Sequence, residues 1–421
     1  MMYRVSRASH LRPPPGFTPI QVDQVDLRRG LDPIEPRRGP GGRPYEVARV
    51  LVRAGARPLG TIDVELPADE RALGAAVERA FGAAVERAFG AAPGGSSPAS
   101  AAALPPASVV IPTRDRPEEL ARSLAAVLAC DYPADRLEVI VADNVPSDAR
   151  TRELVQREHG GDDRVGYVLV ERSGSAAARN DGAARARGEI VAFIDDDAIA
   201  DRRWLAELAG GFGVAEGVAC VTGLVMPAEL DTWPQQLFQE YGGFGAGFEE
   251  TVYERGTGGA SPLFPFNPGV LGSGNNIAFR RAALLELGGY DEVLGNGTPT
   301  RAGEDWELML RVLRCRRTAV YRPSAIVHHP DRCDYEALRA QLHDYGVGLG
   351  AAVTRTVAHD PRAALELARR LPRAGHHLLA AGSAKNRQRT AGFPRDLRRA
   401  ELTGLARGPL AYVRSRRAAN R

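Results

Sequence analysis

The sequence predicts an α/β protein built on a mostly parallel, doubly wound sheet, and three observations carry that prediction. Between Ser108 and Ile194, short apolar, β-branched runs alternate with helical stretches, the pattern of neighbouring strands with helices on both faces. Each run ends in a turn that carries polar or acidic groups: Thr113 and Asp115, then Asp143, then Asp195, Asp196 and Asp197. In an open parallel sheet, ligands bind at the strands' carboxyl ends, and a nucleotide suits such an edge. The third observation is IVAFIDDD (Ile190–Asp197), a buried strand running straight into three carboxylates. Adjoining like charges are costly unless a cation or strong donors sit among them, and hard oxygen ligands suit Mg²⁺ or Mn²⁺. For an isolated DDD, an acidic surface loop or helix N-terminus is an equal reading.

Composition sets the outer limits. A chain of 421 residues has room for two or three domains, or for one large domain with extensions. Its 44% hydrophobic and 25% charged content is that of a globular protein. No apolar run approaches the ~20 residues needed to cross a bilayer. The basic start MMYRVSRASHLRPPPG lacks the apolar core of a secretory signal. Cys130, Cys220, Cys315 and Cys333 lie far apart without a CxxC pair, which argues against a disulfide framework or cysteine cluster. A cytoplasmic location is the expectation. The net charge of +3 hides an asymmetry, because residues 351–421 carry 16 Lys+Arg against 4 Asp+Glu. No nucleic-acid partner is expected.

Taken in order, residues 1–44 are rich in Pro and Arg and read as extended or loosely ordered chain. Residues 45–92 form a small module. EVARVLVR and TIDVEL read as a hairpin, with Ile62, Val64 and Leu66 alternating against polar neighbours. A helix follows in which GAAVERAF occurs twice without change, at Gly74–Phe81 and Gly82–Phe89. Two eight-residue copies are too short for a solenoid, so the duplication reads as a lengthened helix. Residues 93–107 are a Pro/Gly/Ser/Ala linker.

The main domain spans 108–350. Ser108–Ile111 is a strand, and a helix follows from Pro117, with Glu118 and Glu119 in its first turn. Leu137–Asn144 and Arg164–Val170 are the next strands, with a helix between them near Asp148–His159. A helix in ARNDGAARARG then leads to the Ile190 strand. Trp204 in RRWLAEL reads as a packing residue at the next helix start. Val218–Met226 is a strand, and the aromatic, Gly-rich stretch LFQEYGGFGAGFEE is either an acceptor-covering loop or a packed Ω-loop.

Five segments in this order, SVVIPTRDRPEEL, VIVADN, AARNDGAARARGEIVAFIDDD, SGNNIAFRRAALLELGGYDE and GEDWELMLRV, resemble family 2 glycosyltransferases of the GT-A fold. The resemblance covers roughly residues 108–350. It implies that Pro112, Thr113 and Asp115 line a nucleotide pocket and that Asp143 bonds the nucleobase. Arg179 would reach the base or the diphosphate. The triplet matches the family's D-x-D: Asp197 as metal ligand, Asp195 on metal or ribose, Asp196 between them beside the nucleotide. His329 would complete a Mg²⁺ or Mn²⁺ site. Asn275 and Asn276 are sugar-hydroxyl ligands or buried structural amides. Asp305 would act as general base, with Glu304 as its support or an acceptor contact. A helix N-terminus lowers a carboxylate's pKa, so burial with the acceptor would have to offset that for a base.

The expected activity is inverting, metal-dependent transfer from a nucleotide-diphosphate sugar to a hydroxyl acceptor, with a lipid-linked acceptor among the candidates. A nucleotidyltransferase of similar fold and a catalytically silent glycan- or nucleotide-binding protein are the rivals, and the E-D pair argues against both. Residues 351–421 read as a basic helical tail with two open placements. It lies peripherally on the inner, anionic face of a membrane, or it packs on the acidic catalytic domain.

Overall fold

The computed structural model describes residues 13–90, 104–254, 263–266, 268–379 and 393–419. A three-stranded sheet comes first: β1 (Ile20–Asp26), β2 (Val47–Ala54) and β3 (Arg57–Glu65), in that spatial order. The hairpin β2–β3 matches the sequence pattern. Within residues 1–44, expected to be extended or loosely ordered, β1 is extended chain that lies parallel to β2 from Ile20↔Val47 to Asp26↔Arg53. Helix α1 (Glu70–Gly90) covers this sheet, placing Val77, Phe81 and Val85 of the duplicated segment on its core. The linker's residues 93–103 lie outside the described residues.

The module is docked, not strung out. Leu51 shares a buried cluster with Leu224, Met226 and Ile326, and Arg53 pairs with Asp201 at 2.8 Å.

The main sheet contains β4 (Ala107–Thr113), β5 (Leu137–Asn144), β6 (Val165–Val170), β7 (Ile190–Ile194), β8 (Ile199–Ala200), β9 (Val218–Pro227), β10 (Thr251–Tyr253), β11 (Asn276–Arg280) and β12 (Thr318–His329). Its order is β10-β12-β9-β11-β7-β4-β5-β6, with β8 on β12. Strands β4 to β7 are mutually parallel, and β11 enters antiparallel between β7 and β9. Helices α2 (Pro117–Leu128), α3 (Arg150–His159), α4 (Ser175–Arg185) and α5 (Trp204–Gly211) cover the two faces, each over its own apolar core. Parallel strands covered on both faces must be apolar throughout, which is why their sequences read as unbroken hydrophobic runs. The winding reverses at β4, which has β5 on one side and β7 on the other. Thr113 and Asp195–Asp197 therefore meet at the switch point of the sheet.

Beyond α6 (Trp233–Tyr241) and α7 (Arg281–Glu286) come α8 (Glu304–Arg314), α9 (Tyr335–His359), α10 (Pro361–Leu379) and α11 (Arg395–Ala419). The expected boundary at residue 350 falls inside α9. Helix α11 lies directly on α9: a Cβ on Gly404 would stand 2.0 Å from the His343 carbonyl oxygen, and one on Gly350 2.5 Å from that of Leu405. Glycine at these positions lets two backbones touch. The described part of the tail that forms α11 is thus packed on α9, with one side left outward. No described helix is long and apolar enough to cross a membrane.

Candidate active site

Strand β7 delivers Asp195 and Asp197 to the switch point, and the β8–β12 pairing (Val327↔Ala200, His328↔Ile199) brings His329 beside them. Ligand atoms of Asp195, Asp197 and His329 all lie within 4.8 Å of one another. His329 Nε2 stands 3.3 Å from Asp197 Oδ1. Burial opposes charging of this imidazole, but Asp197, Asp331 and Asp195 together push it up to about 10. Burial likewise opposes ionisation of Asp197, yet His329 and Arg116 hold its carboxyl well below the usual range. The cluster calls for positive charge at this point, and two carboxylate oxygens with one imidazole nitrogen fit a divalent cation.

Asp196 turns away from this triad. It accepts hydrogen bonds from Thr113 Oγ1 and Arg116 Nη1, each at 2.8 Å, and burial raises it to about 7. Arg116 also donates to Asp197 Oδ2 at 2.9 Å. Sequence reading missed Arg116; the available signal was a basic residue in the β4 exit loop, immediately before the Pro that starts α2.

On the other side of β4, Asp143 ends β5 and is fully buried. Its Oδ2 accepts from the Tyr167 hydroxyl at 2.8 Å, whereas its Oδ1 has no hydrogen-bond partner among the described residues. A buried acceptor left open is expensive unless a ligand fills it. Burial raises the Asp143 pKa. Asp115 adopts a left-handed backbone (φ 56°) and accepts from Ser147 N and Oγ at 2.7 and 2.9 Å, tying the two loops together. Pro112 is half-buried on β4 beside it.

Arg179 is held inside the cluster. Buried to 6% exposure on α4, it donates to Asp195 Oδ1 and to Glu304 Oε1, both at 2.9 Å, and its guanidinium lies 5.7 Å from the Tyr290 ring centroid. It joins the carboxylate cluster to the start of α8. Glu304 also accepts from Ser175 Oγ at 2.7 Å.

Asp305 occupies the first turn of α8, which Gly303 opens with φ 100°. Its Oδ2 accepts from Gly274 N at 2.9 Å and its Oδ1 from Trp306 N at 2.8 Å. A Cβ on Gly274 would stand 2.6 Å from that of Asp305, so only glycine allows this approach. Burial, then the Glu304 charge, push Asp305 up to about 6 against Arg179 and the two N–H donors. Burial thus outweighs the helix terminus.

The remaining candidates divide. Asn276 is structural: its side chain accepts from Trp204 Nε1 at 2.9 Å and donates to the carbonyls of Leu224 and Ala325 at 2.9 and 2.8 Å. Trp204 is fully buried, a packing residue. Asn275 is buried, and its Oδ1 has no partner among the described residues. From the aromatic stretch, Phe244 packs edge-on to His329 at 5.1 Å and contacts Tyr345, which in turn packs on Trp306. Residues 255–262 lie outside the described residues.

A family model described as glycosyl transferase family 2 matches residues 108–288. A glucosyl-dolichyl phosphate glucuronosyltransferase of Haloferax volcanii is 28% identical over 232 residues, 53% of this chain and 68% of that protein. A GalNAc(5)-diNAcBac-PP-undecaprenol beta-1,3-glucosyltransferase of Campylobacter jejuni is 35% identical over 96 residues, 22% of this chain and 30% of the other. A pre-mycofactocin glycosyltransferase of Mycobacterium tuberculosis is 27% identical over 191 residues, 45% of this chain and 37% of its own length. The chain thus spans about two thirds of the first relative and about a third of the other two. A solved mannosyltransferase of Pyrobaculum calidifontis, in complex with GDP-Man and Mn²⁺, aligns at a TM-score of 0.48 and 21% identity over 80% of this chain and 96% of that one.

Proposed function

We propose that this chain, which a model described as glycosyl transferase family 2 matches over residues 108–288, moves a sugar, with inversion, from a nucleotide-diphosphate donor to an acceptor hydroxyl. The observation that carries the proposal is the bridge made by Arg179, which joins the Asp195 carboxylate cluster to the helix holding Asp305.

Asp305 takes the acceptor proton. A general base works best when its pKa lies near the working pH, and about 6 meets that condition. The backbone N–H groups of Gly274 and Trp306 fix its two oxygens, so the carboxylate does not have to be reoriented during reaction. Glu304 supports it through Ser175 and Arg179. Asp143 offers its open Oδ1 to a nucleobase N–H, with Pro112, Thr113 and Asp115 along the pocket rim and Asp196 held by Thr113 and Arg116. Asp195, Asp197 and His329 would hold Mg²⁺ or Mn²⁺, which when bound offsets the charge of a departing diphosphate.

Two relatives have names containing a dolichyl phosphate or a PP-undecaprenol, which supports a lipid-linked acceptor. A cytoplasmic protein touching an anionic membrane through residues 351–421 is part of the same reading. Leu410 and Val413 are exposed on α11 near Arg414 and Arg417, as such contact requires. Screening nucleotide sugars for metal-dependent release of nucleoside diphosphate tests the proposal, and no release from any donor refutes it.

A further inference from the structure

A polar groove of about 380 Å³ opens between α9 and α11, away from the carboxylate cluster. Arg301, Arg339, His343 and Arg407 line it together with Glu336 and Asp344. Both acids are already engaged from within the groove. Arg339 donates to Glu336 at 3.0 Å, while Asp344 meets Arg301 at 3.4 Å and His343 at 3.2 Å. Arg407 has no carboxylate partner among the described residues; its Nη1 stands 3.3 Å from His343 Nε2. The groove therefore carries positive charge that nothing inside it balances.

Its position is the second observation. Arg301 lies four residues before Asp305 and holds a left-handed backbone, φ 61°, a conformation that costs a non-glycine residue energy and tends to persist at functional sites. On the other wall, Asp344 adjoins Tyr345, whose ring packs on Trp306 at 5.9 Å. The groove and the Asp305 site thus share the 301–306 segment and one turn of α9. Beyond the lining, Leu410, 54% exposed, follows Arg407 by three residues and so lies on the same side of α11.

We propose that this groove binds the phosphate of a phosphate-bearing acceptor, so that its hydroxyl is held toward Asp305. The proposal rests on the glycosyl-transfer reading and adds the chemical class of the acceptor. Guanidinium groups suit the task because their planar forks match phosphate oxygens. A prenyl chain on the phosphate would leave past Leu410; a soluble phosphate ester would need only the arginines.

The test uses the full chain and calorimetric titration with geranyl phosphate, geraniol and inorganic phosphate. In the pair Arg301→Ala with Arg407→Ala, phosphate affinity falls on the order of tenfold or more, since two charge-assisted contacts are lost. A control pair of exposed arginines, Arg122→Ala with Arg157→Ala, stays within about twofold, the small effect usual for surface charges. Thr403→Asp, which adds a carboxylate on the exposed wall of the same groove, gives the same loss without deleting a side chain. Geraniol does not bind comparably. Loss confined to geranyl phosphate identifies a lipid source, and equal loss for inorganic phosphate identifies a soluble one. Equal affinity in wild type and all groove variants, or equal loss in the control pair, overturns the proposal. Metal-dependent binding of the nucleotide-sugar donor, measured alongside, stays within about twofold in the groove variants. No binding of any donor by wild type would instead refute the glycosyl-transfer reading.

Discussion

Replacing Asp305 by Asn separates chemistry from architecture. The carboxylate accepts from Gly274 N on one oxygen and Trp306 N on the other. Asn keeps one acceptor oxygen, so one N–H is left facing an amide NH₂, at a cost of ~1–3 kcal/mol. On the other side, the fold holds Asp305 near 6 against an ordinary 3.8. Ionising it at neutral pH therefore costs ~3 kcal/mol, which a neutral amide avoids. The two terms nearly cancel, so Asp305→Asn should fold and bind donor like wild type. Loss of a general base costs ~10²–10⁴ in rate. Sugar transfer is the assay, with donor binding and thermal unfolding measured on the same samples. In wild type, transfer should rise with pH through about 6 and then level off, because the base works ionised and is protonated below that value. The variant should lack that limb. Transfer within a few-fold of wild type would refute the assignment; if Glu304→Gln were then inactive, the two roles would be exchanged.

Three further outcomes follow from neighbouring contacts. Asp197→Ala should abolish metal-dependent donor binding and diphosphate release, whereas undiminished activity in excess chelator would rule out the metal. Arg179→Gln removes the cation between Asp195 and Glu304, which should cost up to ~3–5 kcal/mol of stability as for other broken buried pairs. Because Arg179 lowers the Asp305 pKa, the acidic limb of the pH profile should also move to higher pH, and an unmoved limb would contradict the coupling. Gly303→Ala should lower the melting temperature, because it forces a Cβ onto a backbone at φ 100° and within 2.4 Å of the Gly348 carbonyl oxygen. The left-handed conformation alone costs ~1–3 kcal/mol, and an unchanged melting temperature would mean that α8 and α9 are not locked there.

The parallel half of the sheet was legible because burial on both faces leaves little freedom of composition. Leu137–Asn144 and the Ile190 strand match the expectation residue for residue, and Ser108–Ile111 extends only to Ala107–Thr113. β1 was not legible. IQVDQVD pairs along its length with β2, with one added bridge from Ile20 to Leu230, and its alternation is broken by Asp23 and Gln24 between Pro/Arg-rich flanks. Asp195, Asp197 and His329 could be nominated from sequence, but the roles of the arginines could not. The Arg179 contact with Glu304 spans 125 residues, and the Arg116 contacts span 80 and 81. A guanidinium's partner is a product of tertiary packing, with no local sequence mark. The continuation of α9 past residue 350 lay beyond the family resemblance, and the reason for Gly346 and Gly350 in it, the close approach of α11, is a tertiary one.

The titration behaviour of the site follows from its charge balance. Asp195, Asp196, Asp197, Glu304, Asp305 and Asp331 converge with Arg116, Arg179 and His329, so six acids face three bases among the described residues. Such an imbalance in a buried place cannot be carried by full ionisation. The fold distributes it unevenly. Asp197, touched by two of the bases, is held ionised. Asp196 and Asp305, where burial outweighs the nearby cations, are pushed to about 7 and about 6. Two added positive charges beside Asp195 and Asp197 would supply most of what the three bases do not. Arg179 is the element that would carry that change across the site, because it touches Asp195 directly and is one of the charges setting the basicity of Asp305. An independent base on an unconnected loop would feel donor-site occupancy only through screened distance, which falls off over ~10 Å in ordinary salt. The buried bridge makes the readiness of the base depend on the charge state of the donor cluster, a coupling suited to an enzyme that must not deprotonate its acceptor before the donor is in place.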